Sequence, residues 1–286
     1  MFRNSYVFLK AEALDFNSFI FLFFFNNKPP SLFVIFVREQ IKNMRTLVIG
    51  DIHGGLRALH QVLERADVST KDKLIFLGDY VDGWSQSPQV IDFLIALQKT
   101  HDVICIRGNH DELLREWLDD NKDNEQWNQH GGEATVLAYE SVDDDTKKKH
   151  IKFLKSLKDY YLDEQNRMFI HAGFTNMNGV NYEYFPKLFY WDRTLWETAL
   201  ALDPKMKPDH PNYPKRFTLY NEIYIGHTPV SRIGETTPVQ KANIWNIDTS
   251  AAFKGALTIL DIDTKQFWQS EPLPSLYPTE KGRNRI

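Results

Sequence analysis

The chain has little cysteine, no long apolar run and no block of basic residues. Its 286 residues include a single cysteine, Cys105, so no disulfide can form within the chain and a reducing, cytoplasmic compartment is expected. Cys105 lies inside an apolar run, which favours a buried structural thiol over a nucleophile, because a nucleophile needs an activating base beside it. The formal charge is −4, and without a basic block a nucleic-acid partner is not expected.

The first 43 residues differ in composition from the rest of the chain. Ten of the 20 phenylalanines fall within residues 1–36, in two apolar bursts that a pair of prolines separates. Neither burst reaches the roughly 20 apolar residues that a membrane span requires, so no stable membrane association is expected. We expect residues 1–43 to be a non-native, disordered or weakly associated extension and residues 44–286 to be the folded domain. A weak membrane anchor is the alternative.

Beyond residue 44 the apolar pattern alternates between the helix period and the strand period. Early β-α-β units followed by a run of strands predict a layered α/β fold with a mixed sheet. The predicted strands are 46–50, 73–77, 102–106, 167–171, 222–226, 242–247, 256–262 and 266–269. The predicted helices are 55–67, 88–99, 111–120, 132–140 and 146–158.

Polar residues collect where the predicted strands end. Five strands finish in a glycine beside aspartate, asparagine or histidine, and the carboxyl ends of strands are where open α/β sheets bind ligands. Any one of these side chains alone is explained as a turn, capping or core residue, but the repeated pattern predicts one shared site. The candidate site residues are Asp51, His53, Asp79, Asn109, His171 and His227.

The chemistry of this set indicates a metal centre. Hard oxygens mixed with imidazole nitrogens suit manganese, iron or zinc rather than calcium. Six donors exceed the three or four protein ligands of a single catalytic metal, so the set favours two metals that share a carboxylate.

Four stretches resemble the motif series of the calcineurin-like metallophosphoesterases, and within that superfamily the bacterial branch of the serine/threonine phosphoprotein phosphatases. The resemblance runs from about residue 45 to about residue 263 and is weak over 174–221. It implies a layered α/β/β/α sandwich with mixed sheets and a dinuclear metal site at the C-terminal ends of the strands. The four stretches are Gly50-Asp51-Ile52-His53-Gly54, Gly78-Asp79-Tyr80-Val81-Asp82, Arg107-Gly108-Asn109-His110 and Gly226-His227-Thr228-Pro229.

The resemblance also implies a ligand set and a reaction. Two divalent cations about 4 Å apart can share a water, lower its pKa and direct it at phosphorus. Manganese is the expected metal, with iron or zinc as alternatives. The resemblance implies that the first ion is bound by Asp51, His53 and Asp79. Asp79 would bridge to the second ion, which Asn109, His171 and His227 would also bind.

Two further residues receive catalytic roles. His110 has no place in the ligand set, and we expect it to act as the general acid that protonates the leaving oxygen. Asp82 would orient His110 and fix its tautomer. The alternative for Asp82 is a turn residue whose side chain lies in water.

The predicted phosphate clamp departs from the family pattern. The phosphatases that this chain resembles commonly carry an arginine where it has Gly83, so one limb of the clamp is missing or comes from elsewhere. Arg107 matches a second family arginine and could bind phosphate bidentately. Arg193 resembles the third, with a surface ion pair as the alternative. Asp111 replaces the usual glutamate, which weakens a close assignment to the eukaryotic-type enzymes.

These expectations leave three functions open. The first is a protein phosphatase that acts on phosphoserine or phosphothreonine. The second is a diadenosine tetraphosphatase or another hydrolase of small phosphate esters; such enzymes also resemble this chain but often lack an acid at Asp82 and the threonine at Thr228. The third, an inactive scaffold, is disfavoured because no metal ligand is missing. The aromatic-rich stretch 174–221 would be either a lid that selects substrates or an ordinary insertion.

Overall fold

The computed structural model describes residues 44–120, 122 and 124–284. The expectations for residues 1–43 lie outside the described residues. Within the described part of the chain, no helix combines the length and the apolar character needed to cross a membrane.

The secondary structure alternates as the sequence predicts up to the third strand, and strands predominate later. In chain order the strands are β1 (Thr46–Ile49), β2 (Lys73–Phe76), β3 (Asp102–Cys105), β4 (Tyr160–Leu162), β5 (Arg167–Ile170), β6 (Glu222–Ile225), β7 (Val239–Lys241), β8 (Ile244–Asn246), β9 (Thr258–Asp261) and β10 (Phe267–Gln269). The helices are α1 (Leu56–Arg65), α2 (Ser87–Leu97), α3 (Asn109–Asp120), α4 (Glu125–Trp127), α5 (Glu133–Tyr139), α6 (Asp144–Ser156), α7 (Leu188–Trp191), α8 (Thr194–Ala201) and α9 (Leu273–Leu276). A kinked turn, Asn128–Gly132, joins α4 to α5, and its residue Gly131 has a non-helical φ of 110°.

The strands form two mixed sheets. The first has the order β10-β9-β1-β2-β3, with β1, β2 and β3 parallel and β9 antiparallel to β1. The second has the order β4-β5-β6-β8-β7, with β5, β6 and β8 parallel and the edge strands antiparallel. Parallel strands end at the same edge of a sheet, so the loops that follow them lie together.

The two sheets pack face to face because side chains alternate along each strand. Val48 and Ile75 of the first sheet belong to one buried cluster with Phe169 and Tyr224 of the second. The rings of Phe169 and Tyr224 stack with their centroids 5.0 Å apart. This sandwich confirms the predicted α/β fold with mixed sheets.

Helices cover the outer face of each sheet. Leu47 and Phe76 pack with buried residues of α1, α2 and α6 on one side. Ile170 and Ile225 pack with Trp196 of α8 on the other. Each sheet therefore contributes one face to the centre of the sandwich and one face to a helical layer, which is the layered arrangement that the resemblance implies.

The stretch 174–221 is divided between core and surface. Phe189 and Trp196 are buried in the core beside the second sheet, whereas Tyr184 is 82% exposed. Trp191 is 44% exposed and lines the cavity described below. The stretch therefore packs aromatic side chains inward, as an ordinary insertion would, and also contributes to the rim of a cavity.

Candidate metal centre

The loops after five parallel strands bring the six predicted ligands together at one end of the sandwich. Asp51 and His53 follow β1, Asp79 follows β2, Asn109 opens α3 just after β3, and the two remaining histidines follow β5 and β6. All six side chains are buried: Asp51, His53, Asp79, Asn109, His171 and His227.

The ligand atoms form two groups that share one carboxylate. In the first group, atoms of Asp51, His53 and Asp79 lie within 4.8 Å of one another, and in the second so do atoms of Asp79, His171 and His227. Oδ2 of Asp79 lies 3.5 Å from Nε2 of His53, while Oδ1 lies 3.4 Å from Nε2 of His171. The two oxygens of Asp79 thus face different groups, as a bridging ligand requires.

Asn109 belongs with the second group. Its Oδ1 lies 3.2 Å from Nε2 of His171 and 2.9 Å from Nδ1 of His227. The amide therefore adds a hard oxygen donor to a pair of imidazoles.

Backbone carbonyls orient two of the imidazoles. Nδ1 of His53 lies 3.0 Å from the carbonyl oxygen of Val81, and Nδ1 of His171 lies 2.8 Å from that of Leu77. A proton donated from Nδ1 to a carbonyl leaves Nε2 as the free donor, which is how metal-binding histidines are commonly held. In both residues Nε2 points at the carboxylate of Asp79.

Two buried polar atoms in the cluster have no hydrogen-bond partner among the residues that the structure describes, namely Oδ1 of Asp51 and Nε2 of His227. Leaving such an atom unpaired costs about 1–3 kcal/mol, so a native fold rarely retains two together without a ligand. Carboxylate, amide and imidazole donors in this ratio suit divalent manganese, iron or zinc. The residues present therefore fit two divalent cations.

The electrostatics of the site also favour cations. Burial raises the pKa of Asp51 well above its usual range, and the charge of Asp248 adds to this rise. Burial likewise raises the pKa of Asp248, to about 6, and the nearby charge of Asp79 contributes. Three carboxylates crowded in a buried volume repel one another, and a divalent cation would relieve that repulsion.

Four site residues adopt left-handed backbone conformations, which are unfavourable for side chains with a Cβ and collect at functional sites. The φ angles are 52° at His53, 54° at Asp79, 76° at Asp82 and 67° at His227. Such backbone strain persists only where the surrounding structure enforces it. The strained conformations therefore reduce the stability of the fold but place these four side chains in the site.

Asp111 enforces part of this backbone geometry. Its carboxylate accepts hydrogen bonds of 2.8 Å from the backbone N–H groups of Asp79, Tyr80 and Gly108. Burial raises the pKa of Asp111 to about 7, and the charge of Asp79 contributes. The aspartate that replaces the family's usual glutamate therefore ties the loop after β2 to the loop after β3.

His110 and Asp82 form a buried pair beside the cluster. Nδ1 of His110 lies 2.5 Å from Oδ2 of Asp82, and Nε1 of Trp127 donates to the same oxygen at 2.5 Å. Asp82 is fully buried, so its side chain does not lie in water as the alternative reading of a turn residue requires. The pairing agrees with the expected orienting contact, and the catalytic roles of both residues stay predictions.

A cavity of about 640 Å³ opens onto the cluster. Its lining includes four of the six predicted metal ligands together with His110, and its wall also carries aromatic and cationic side chains. These wall residues include Trp127, Trp191, Arg193, Arg232, Phe253 and Arg283.

The two arginines predicted to bind phosphate are placed differently. Arg193 lines the cavity and donates a hydrogen bond of 3.4 Å to Oγ1 of Thr228. Among the described residues it makes no ion pair with a carboxylate, so the alternative of a surface ion pair finds no partner there. Arg107 is not part of the cavity lining, because its guanidinium group makes ion pairs with Glu112 at 2.6 Å and Asp159 at 3.1 Å. A phosphate-binding role for Arg107 would require these ion pairs to break, and it stays a prediction.

Sequence reasoning missed several residues of the cavity. Asp248 lies two residues beyond the end of β8, so the strand-end pattern that located the predicted ligands could have found it. Arg232 lies in a short 3-10 turn and Arg283 lies near the end of the described chain, where no strand or motif marks either.

Comparisons with known proteins agree with this geometry. A family model described as calcineurin-like phosphoesterase matches residues 44–238. The bis(5'-nucleosyl)-tetraphosphatase PrpE [asymmetrical] of Anoxybacillus flavithermus is 30% identical over 230 residues, which cover 74% of this chain and 88% of the relative. The protein of the same description from Oceanobacillus iheyensis is 28% identical over 240 residues, covering 78% and 91%.

Solved structures show the same fold at lower identity. A crystal structure of a putative diadenosine tetraphosphatase superposes with a TM-score of 0.54 at 18% identity, covering 79% of this chain and 92% of the other. A protein serine/threonine phosphatase from Saccharomyces cerevisiae superposes with a TM-score of 0.55 at 14% identity, covering 82% and 81%.

Proposed function

The chain belongs to the calcineurin-like phosphoesterase family, and from this premise we propose that it hydrolyses dinucleoside polyphosphates in a metal-dependent reaction. Membership of the family makes the chain a hydrolase that acts on phosphate esters. The choice of substrate is our proposal, and it reverses the order of the two functions that the sequence alone favoured. Relatives that cover most of this chain are named as bis(5'-nucleosyl)-tetraphosphatases.

One observation carries the choice of substrate, namely a wide cavity with unpaired cations in its wall. Arg193 and Arg232 line the same space as the predicted metal cluster, and within the described part of the chain neither makes an ion pair with a carboxylate. A volume of about 640 Å³ exceeds what one phosphate group needs and lies in the range of small-ligand sites. A chain of several phosphates places negative charge both at the metals and along this wall.

The chain's own residues would divide the remaining work. When bound, two divalent cations, for which we propose manganese, would neutralise phosphate charge and lower the pKa of the attacking water. The first cation would be held by Asp51, His53 and the bridging Asp79. The second would be held by Asp79 together with Asn109, His171 and His227.

His110 would transfer the proton to the leaving group. Asp82 holds Nδ1 of His110, so Nε2 is the ring nitrogen available to the cavity. General-acid transfer of this kind contributes about 10²–10⁴-fold to a rate. Asp82 would therefore act by fixing the tautomer and orientation of the imidazole.

A substrate panel tests the proposal. Metal-depleted protein, reloaded with manganese, is incubated separately with diadenosine tetraphosphate, a phosphoserine peptide, bis-p-nitrophenyl phosphate and p-nitrophenyl phosphate. We expect diadenosine tetraphosphate to be cleaved to AMP and ATP, with turnover lost on chelation and restored by metal. The variant Asp79→Asn is the control for contaminating hydrolases. Metal-independent turnover, or hydrolysis of the phosphopeptide alone, would reject the proposal.

A further inference from the structure

We propose that Arg283 binds a substrate phosphate and supplies the limb of the clamp that is absent at Gly83. This inference rests on the proposed phosphoester hydrolysis at the same cavity. The two residues are far apart in sequence, yet the aliphatic stem of Arg283 lies directly over Gly83.

Two glycines form the slot that receives this stem. Both have left-handed backbone conformations, with φ of 108° at Gly83 and 110° at Gly131, and the N–H of Gly83 donates to the carbonyl of Gly131 at 3.1 Å. A Cβ added to Gly83 would lie 3.1 Å from Cγ of Arg283, and one added to Gly131 would lie 2.8 Å from it. A side chain at either position would displace Arg283. Gly83 therefore replaces the arginine that the family commonly carries there and leaves space for the side chain of Arg283.

The backbone of Arg283 is hydrogen-bonded to the same short segment that binds Trp84, the residue after Gly83. The N–H of Arg283 donates to the carbonyl of Ala252 at 2.8 Å, and Nε1 of Trp84 donates to the carbonyl of Ala251 at 2.7 Å. The fully buried Trp84 also packs against Gly282, where an added Cβ would lie 2.6 Å from Cζ2 of the indole. The pair Gly83-Trp84, where this chain differs from the family pattern, therefore acts as one structural unit. Trp84 packs against the segment that contains Arg283, and Gly83 leaves space for the side chain of Arg283.

The guanidinium group of Arg283 acts on the carboxylate of Asp248 through space, where its charge opposes the rise in pKa, but it forms no ion pair with that carboxylate. It lies 5.3 Å above the ring of Phe253 and lines the cavity, and its Nε is buried without a hydrogen-bond partner in the part of the chain that the structure describes. Among the described residues it makes no ion pair. Asp248 lines the same cavity but accepts a hydrogen bond from the N–H of Ser250 instead.

Two further arginines near Arg283 add positive charge to the cavity, which favours binding of an anion. Burial lowers the pKa of Arg193, and the charges of Arg232 and Arg283 lower it further, while the carboxylates of Glu197 and Asp248 act in the opposite direction. Three guanidinium groups that repel one another around a metal cavity would gain from an anion with several oxygens. Phosphate accepts paired hydrogen bonds from arginine, so it is the ligand class that this arrangement suits.

The test compares Arg283→Gln with wild type and with Lys281→Ala. Glutamine keeps part of the aliphatic stem in the slot and removes the charge, while Lys281→Ala removes an exposed cation two residues away. The measurements are metal content, the inhibition constant of inorganic phosphate, and protection from thermal unfolding by inorganic phosphate below the concentration at which its manganese salt precipitates. We expect Arg283→Gln to weaken phosphate binding about tenfold or more at unchanged metal content, with Arg283→Lys intermediate and Lys281→Ala equal to wild type.

The outcomes separate this inference from the proposed function. Phosphate protection needs no turnover, so it tests Arg283 even if the substrate panel shows no hydrolysis. Equal phosphate affinity in Arg283→Gln and wild type would overturn the role of Arg283 while leaving the hydrolase proposal intact. Loss of metal or of the folded state in Arg283→Gln would also overturn it, because the residue would then be structural.

Discussion

Nδ1 of His110 lies 2.5 Å from Oδ2 of Asp82, and both side chains are buried beside the metal ligands. Trp127 donates a second hydrogen bond to the same oxygen. The carboxylate is thus held from two sides while the imidazole reaches the cavity. This geometry suits a positioned proton donor and leads to the first prediction.

His110→Asn should slow substrates with poor leaving groups more than substrates with good ones. A phosphoserine peptide or glycerol phosphate should lose about 10²–10⁴-fold in kcat/KM, since the alkoxide needs a proton to depart. The loss for p-nitrophenyl phosphate should be smaller, because nitrophenolate leaves without full protonation. Asp82→Asn should show the same selectivity with a smaller loss, because the imidazole remains but is less well held.

Metal analysis is the control for this prediction. Both variants should retain the wild-type metal content, because neither residue is assigned as a ligand. If His110→Asn empties a metal site, or slows both substrates equally, the general-acid assignment is wrong.

Asp79→Asn should remove more metal than any other single ligand change. The two oxygens of Asp79 face different ligand groups, so the substitution weakens both sites at once. Asp51→Asn is the matched comparison, since Asp51 belongs to only one group. Elemental analysis after gel filtration should find Asp79→Asn depleted at both sites and Asp51→Asn depleted mainly at one. Equal retention by the two variants would contradict the bridging assignment.

Trp191→Ala should impair dinucleotide substrates selectively. The indole is 44% exposed at the cavity wall, where a nucleobase could stack on it for about 1–3 kcal/mol. In Trp191→Ala the KM for diadenosine tetraphosphate should rise by about 5- to 100-fold. Trp191→Phe should keep a KM near that of wild type, because it retains an aromatic ring. The KM for p-nitrophenyl phosphate should not change in either variant. Tyr184→Ala is the control, because Tyr184 is exposed in the same segment but does not line the cavity. A similar loss for both substrates would indicate a structural role for Trp191.

The ion pair between Arg45 and Asp72 should make stability depend on pH at the acidic end. Burial by itself would raise the pKa of Asp72, but hydrogen bonds from Arg45 and Ser69 outweigh it and lower the pKa from 3.8 to about 2. A carboxyl whose pKa is lower when folded stabilises the protein above its unfolded pKa, and this stabilisation is lost as pH falls through the folded pKa. Asp72→Asn should therefore reduce the free energy of unfolding by about 1–2 kcal/mol at pH 6.

Denaturant unfolding at two pH values checks the sign. The difference between wild type and Asp72→Asn should shrink to roughly half at pH 3, since the unfolded carboxyl is by then mostly protonated. A difference that is the same at pH 6 and pH 3 would show that the charge of Asp72 contributes nothing.

The clustering of the six predicted ligands could be anticipated from the sequence because each lies one to four residues beyond the end of a strand. Asp79, for example, lies three residues beyond the end of β2, so local periodicity is enough to place it at the edge of the sheet. Local reasoning failed where partners come from distant segments. Arg107 also follows a strand, but Glu112 and Asp159 engage its guanidinium group, and no pattern around Arg107 indicates the second. Arg283 reaches the cavity only through packing against Gly83.

Strand boundaries show the same limit. The predicted strand 242–247 contains β8 but starts two residues too early, in the turn that joins β7 to β8 at Ala242, where φ is 51°. Alanine rarely adopts this conformation, so the sequence carried no turn signal. The edge strand β4 was also missed, because its three residues are ordered by pairing with β5 and not by a periodic pattern of their own.

Internal competition between two substrates tests the central claim most directly. Manganese-loaded protein is given equal concentrations of diadenosine tetraphosphate and a phosphoserine peptide in one vessel, and the initial rates of both product series are measured. Their ratio equals the ratio of kcat/KM values, free of differences in enzyme concentration or metal loading. The account predicts that AMP and ATP form at least tenfold faster than free phosphate from the peptide, and that Asp79→Asn forms neither. Faster release of phosphate from the peptide would contradict the proposed substrate and would support the protein phosphatase hypothesis instead.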